Sequence, residues 1–197
     1  MAEQDVQTTP EVLPEDDPRF DAEFHRRRAA ALRHVRKWGD PVLKARALPV
    51  DRFDGALAAE VEQMGRLMND AYGIGLAATQ LGQLHRVLVY RVEPDSPVVA
   101  LVNPEIEWRG EETEVMEEGC LSLPRVHVEV DRPIHVRARA FDERGAPFRI
   151  EASGLEARVI QHEVDHLDGV LMLDRATRQA RKEALRALRE AERERAA

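Results

Sequence analysis

The chain has one cysteine, Cys120, in 197 residues, so no disulfide can form within it. That excludes a small secreted domain stapled by disulfides, and a lone thiol suits a reducing cytoplasm. No apolar run reaches the ~20 residues a membrane-spanning helix needs. A secretory h-region is also missing, and the acidic beginning disfavours a transit peptide. Positive charge is scarce in the body of the chain. Residues 38–173 carry −10 and residues 1–18 carry −6, against +5 for residues 19–37 and +3 for residues 174–197, leaving a net charge of −8. Such a body argues against broad nucleic-acid binding or specific DNA contact, since phosphate neutralisation needs Lys and Arg. Nucleotide-loop signatures are incomplete as well. Gly73-Ile74-Gly75-Leu76-Ala77-Ala78-Thr79-Gln80 lacks the lysine and hydroxyl of a P-loop and the third glycine of a dinucleotide fingerprint.

What the chain does contain is Gln161-His162-Glu163-Val164-Asp165-His166. On a helix, residues four apart share a face. His162 and His166 can therefore grip one metal ion while Glu163 lies near enough to handle protons at a bound water. Ser153 and Glu156 fit a capping box at the helix start, and Gly169 fits a stop. Between them Leu155, Val159, His162 and His166 form one stripe, so the histidines extend the apolar face. Either histidine alone reads more readily as a hydrogen-bonded core residue. The pair with the intervening glutamate reverses that balance. Asp165 reads equally well as a partner of a metal ligand or as a solvated carboxylate.

Two histidines do not complete a catalytic site, which takes three protein ligands and keeps one position open. The third candidate is Cys120, in Glu117-Glu118-Gly119-Cys120-Leu121-Ser122-Leu123-Pro124. Lone cysteines are mostly small buried hydrophobes, but Gly119 and Pro124 punctuate both sides and suggest a presented thiol. Gln80 follows an apolar run and offers an amide donor for a developing oxyanion, or else is a surface glutamine.

Taken together, the GxGxAAxQ segment at 73–80, the EGCxS segment at 118–122 and the QHExDH segment at 161–166 resemble peptide deformylase in kind and order, over residues 35–173. The resemblance implies Cys120, His162 and His166 as metal ligands, Glu163 as acid–base, and Gln80 with the Leu121 N–H as oxyanion donors. It implies ferrous iron as the native cofactor, with Zn2+, Ni2+ or Co2+ also accepted. The implied substrate is the formyl-methionine N-terminus of new polypeptides, with formate as product. Ile74, Gly75, Leu121, Leu155 and Val159 lie in or beside these motifs and are expected to wall an apolar slot for the methionine side chain. Arg158 is expected at its rim.

The remaining chain supplies the frame. Residues 1–18 read as a disordered acidic tail. Residues 19–34 read as a basic helical extension, within a run of Arg26, Arg27, Arg28, Arg33, Arg36 and Lys37 expected to be a solvated face rather than an RNA-contacting patch. The catalytic domain spans 35–173. Leu57, Val61, Met64, Leu67 and Met68 mark an amphipathic helix. Strands are expected at 85–92, 98–103, 112–118, 126–130, 134–141 and 147–152, with a hairpin turn at 142–145. His127 and His135 fall on polar phases and receive no metal role. Segregated helix and strand blocks predict an α+β fold, with small mixed or antiparallel sheets around the central HExxH helix. Residues 174–197 form a C-terminal helix with a thin stripe of Ala184, Leu185 and Leu188. Its arginines, with the basic N-terminal segment, are compatible with ribosome contact. Two rivals stand beside this reading. A zinc endopeptidase would draw its third ligand from downstream rather than from an upstream cysteine. A non-catalytic ribosome-associated module with a structural metal would need a fourth ligand.

Overall fold

A computed structural model of the protein describes residues 21–196; the acidic segment 1–18 lies outside them. In chain order the elements are α1 (Ala22–Leu32), a 3-10 turn (Pro41–Lys44), α2 (Gly55–Asp70), β1 (Gly75–Ala77), a second 3-10 turn (Ala78–Leu81), β2 (Val87–Tyr90), β3 (Val99–Arg109), β4 (Thr113–Cys120), β5 (Leu123–Pro133), β6 (His135–Phe141), β7 (Pro147–Ser153), α3 (Gly154–Leu167), α4 (Met172–Arg175) and α5 (Arg178–Ala196). The fold is α+β, and every strand pairing among the named strands is antiparallel.

The α2 helix starts where the Asp54 carboxylate accepts from the N–H groups of Ala56 and Leu57, at 3.0 and 3.3 Å, relieving donors a first turn leaves unpaired. Its stripe buries Leu57, Met64 and Met68 in a cluster with Leu76, Val87, Val89 and Val102. The helix ends as the chain passes Tyr72 at φ +61°, a left-handed residue without the freedom of glycine.

Five strands form one sheet in the order β1-β2-β3-β6-β7, while β4 and β5 form a separate hairpin. The third strand runs to Arg109, well beyond the 98–103 expected from the sequence. One register shift spans Asn103-Pro104 and a second follows Ile106; Asn103 has φ +53°, and its side chain serves the Val50 N–H and C=O at 2.8 Å each. A bulge thus absorbs a proline that regular pairing would reject.

The hairpin alternates as its sequence predicts: Val126, Val128 and Val130 are buried, and His127 and Glu129 exposed. The inward phase continues to Arg132, which is buried too. Those valines share a cluster with Leu43, Met172, Leu173, Ala184 and Leu188, so α5 is packed along one face rather than wholly solvated.

Between hairpin and sheet lies α3. Ala157, Ile160, Val164 and Leu167 join Leu88, Tyr90, Leu101, Val136, Ala138 and Ala152 in the main core; each large aliphatic there contributes about 1.5–3 kcal/mol. The expected capping box does not form. Ser153 occupies the N-cap without a side-chain cap bond, and Glu156 accepts instead from the Tyr90 hydroxyl at 2.8 Å. The helix stops as expected at Gly169, φ +73°, where a Cβ would lie 2.6 Å from the Lys44 carbonyl oxygen. Toward the hairpin, Arg158 donates to the carbonyls of Val130 and Glu114, and Gln161 donates to that of Pro133.

The basic run is not one solvated face. Helix α1 ends at Leu32, Arg28 is buried, and Arg36 and Lys37 lie beyond the helix.

Candidate metal centre

Helix α3 sets His162 and His166 one turn apart, with ring centroids 5.0 Å from each other. The β4–β5 hairpin brings Cys120 up to them from the last residue of β4. The Cys120 Sγ, one nitrogen of His162 and one of His166 all lie within 4.8 Å of one another, and Sγ is 3.2 Å from His166 Nε2. Cys120 is buried, not exposed as its flanking Gly and Pro suggest.

Glu118, two residues before the cysteine, orients the first ring. Its Oε2 lies 2.9 Å from His162 Nδ1. Burial would raise the Glu118 carboxyl, but hydrogen bonds from His162 and Arg132 prevail and hold it well below the usual carboxylate range. A carboxylate only accepts, so Nδ1 carries the proton and Nε2 keeps its lone pair for a metal. Arg132 spans Glu118, at 2.5 and 2.9 Å, and Asp165, at 2.9 Å; Arg175 also grips Asp165. Asp165 is therefore a buried partner in this web. Arg158 lines the cavity from its wall. It is buried, with its guanidinium on Glu118 at 2.8 Å.

Burial alone would raise the Cys120 thiol, but the neighbouring His166 and His162 outweigh it and hold the group well below its ordinary value. Burial likewise disfavours charge on His162, while hydrogen bonding to Cys120 and Glu118 pulls its pKa up. Thiolate beside imidazole is the donor set expected for iron, zinc, nickel or cobalt. Glu163 adds a second sign of fit. Its Oε2 is buried with no hydrogen-bond partner among the described residues, and burial pushes its pKa up. A buried orphan oxygen beside three converging donors is poised for something that arrives with the reaction.

Gly75 makes room for that carboxylate, because a Cβ there would overlap it. Gln80 is locked by the Ala77 N–H, which donates to its Oε1 at 2.9 Å. Its Nε2 faces Ser122 Oγ at 3.3 Å and Cys120 Sγ at 3.6 Å. Ile74, Gly75, Gln80, Cys120, Leu121, Leu155, Arg158, Val159, His162 and Glu163 all line one cavity, together with Tyr72 and Arg28.

Glu118, Arg132 and Arg28 were not singled out for the site from the sequence. The period-2 phase of β5 carries the signal for Arg132. Nothing local marks Arg28, which needs the docking of α1 on α2.

A family model described as polypeptide deformylase matches residues 32–182. The chain belongs to the polypeptide deformylase family. Among curated members, the peptide deformylase of Acidothermus cellulolyticus is 47% identical over 162 residues, covering 82% of this chain and 88% of that one. The Thermotoga neapolitana member is 48% identical over 141 residues, covering 72% and 85%. Among family structures, the Synechococcus elongatus enzyme in complex with actinonin superposes at TM-score 0.75 with 42% identity, covering 78% of this chain and 85% of that chain. The Thermotoga maritima enzyme gives 0.70 and 45%, covering 73% and 96%.

Proposed function

We propose that this deformylase removes the formyl group from the formyl-methionine at the start of newly made polypeptides, in the cytoplasm, with Cys120, His162 and His166 holding one divalent cation. The observation carrying this reading is the convergence of those three donors at a cavity lined by Cys120, His162 and the buried Glu163 carboxylate. Ferrous iron is the native cation in this reading, and zinc, nickel or cobalt suits the same donors. A cation held there supplies Lewis acidity, bringing the pKa of water toward about 7.

The chain's own groups do the rest. Ile74, Leu155 and Val159 take the methionine side chain against apolar surface, with Gly75 leaving room for Glu163 beside it. Glu163 accepts the proton that water gives up on attacking the formyl carbon. As the carbonyl oxygen gains charge, the Leu121 N–H and the Gln80 amide donate to it. The Gln80 N–H that faces sulfur across a long 3.6 Å contact is the one offered to that oxygen. A donor of this kind is worth about 3–4 kcal/mol in the transition state. Glu163 then returns its proton to the leaving nitrogen, the C–N bond breaks, and formate and a free amine depart.

Formate release from a formyl-methionyl peptide, measured beside metal content, tests the assignment. Glu163→Gln should retain metal and lose turnover by at least about a hundredfold, and full turnover would overturn the role. Internal peptide cleavage without formate would favour the endopeptidase instead.

The ribosome is the proposed partner of the basic terminal segments. Arg178, Lys182 and Arg189 are exposed on α5, so changing all three to Glu leaves the Ala184–Leu188 packing intact. Ribosome co-sedimentation should fall; unchanged co-sedimentation would discard this docking.

A further inference from the structure

Arg36, Lys37 and Trp38 follow one another in sequence, yet each fastens a different part of the site. The Arg36 N–H donates to the Gln80 carbonyl at 2.7 Å, and the Trp38 N–H donates to the Ser122 carbonyl at 2.9 Å. Between them, Lys37 Nζ donates to the Leu121 carbonyl at 2.8 Å. Gln80 sits in the turn after β1, in the five-stranded sheet, whereas Leu121 and Ser122 form the tip of the separate hairpin. Among the described residues no strand ladder joins these sheets. Something else must fix the distance between two donors that serve one oxygen, because misplacement by about 1 Å costs of order a hundredfold in rate.

From this geometry we propose that residues 36–38 are a strap that sets the two oxyanion donors relative to each other, with Lys37 as a positioning residue. The inference rests on the roles proposed above for Gln80 and Leu121. Both ends of the strap are anchored: Val35 is buried, and Trp38 packs on the cluster that holds Cys120 and Leu123. Inside the site, beyond the thiolate, Gln80 reaches the tip through the 3.3 Å contact with Ser122 Oγ. From outside, the strap makes three bonds, one to Gln80 and two to the tip. The ammonium bond is charge-assisted and partly shielded, hence the strongest of them. By holding the Leu121 carbonyl it restrains the backbone torsions on either side of that residue, and so the direction of its N–H. Lys37 touches no reacting atom in this scheme.

Lys37→Met keeps the aliphatic stem and removes the donor. In the metal-loaded enzyme, kcat on a formyl-methionyl peptide should fall about tenfold, a fraction of the roughly hundredfold lost with a whole donor, while KM stays within about twofold. Lys37→Arg should restore most of the loss. In both metal-free and zinc-loaded protein the Leu121 amide resonance should move in Lys37→Met and return in Lys37→Arg, with metal content unchanged. Arg27→Met, on the exposed part of α1, should change none of these. If Lys37→Met does not fold, Lys37→Gln, which keeps a donor without the charge, should show the same shift at smaller amplitude. Unchanged kcat, or a loss of thermal stability with no movement of the Leu121 amide, overturns the strap. Gln80→Ala separates the two levels: full turnover there overturns the oxyanion reading itself, whereas a crippled Gln80→Ala beside an intact Lys37→Met overturns only the strap.

Discussion

Arginine meets carboxylate in two contrasting settings in this fold. On the five-stranded sheet Arg137 pairs with Glu151, Arg139 with Glu105 and Arg149 with Glu107, all with their cations largely in water. Around α3 the same chemistry is almost dry: the Arg132, Arg158 and Glu118 side chains are 5, 5 and 3% exposed. In water each pair competes with hydration and salt and contributes little. Away from water, each charge is tolerable only because every partner is present, and losing one leaves an uncompensated ion. The exposed pairs decorate strands that β-pairing already holds. The buried web fixes the ring of His162, and so serves the site as much as the fold.

The sharpest way to break the contrast is Glu118→Gln. It leaves Arg132 with Asp165 as its one carboxylate and Arg158 with neutral carbonyls alone, so denaturant unfolding should show a loss of about 3–5 kcal/mol. Metal retention under a chelator should weaken about 10- to 100-fold as His162 loses its orienting carboxylate.

Acid titration sharpens it further. A carboxylate with a depressed folded pKa stabilises fully above its ordinary value, near 4.5 for glutamate. That contribution is lost as the pH falls through the lower folded value. The stability gap between the parent and Glu118→Gln should therefore be constant from neutrality to about pH 4.5 and close below it. A gap that widens in acid would contradict the assignment.

The smallest effect belongs to the surface. Glu107 is also depressed, chiefly by the hydrogen bond from Arg149, but it lies at the surface. Arg149→Ala and Arg139→Ala should leave the thermal midpoint unmoved within error at physiological salt. A clear fall in either would mean that the surface pairs act as a network.

Much of the site was legible because its chemistry is local in sequence. The helix spacing of His162 and His166 and the apolar stripe of α2 depend on period alone. Alternation in β5 fixed which valines face inward, and followed two residues further it turns Arg132 inward too. Other features depended on distant partners. Ser153 and Glu156 satisfy a capping pattern, yet Tyr90 arrives from another strand and takes the carboxylate. Arg158 looked like a snorkelling rim residue because its acceptors lie 28 to 44 positions away. Arg36 and Lys37 read as part of a charge run, since nothing nearby marks the Gln80 carbonyl that the one reaches or the hairpin tip that the other reaches.

The three hairpin carbonyls that receive Arg158 and Gln161 have a mechanical consequence. They rivet the two-stranded ribbon to an axle, so the sulfur of the hairpin and the imidazoles of α3 ride on one rigid body. The ribbon's outer surface is then at liberty to vary in evolution without disturbing the reaction, provided the rivets stay.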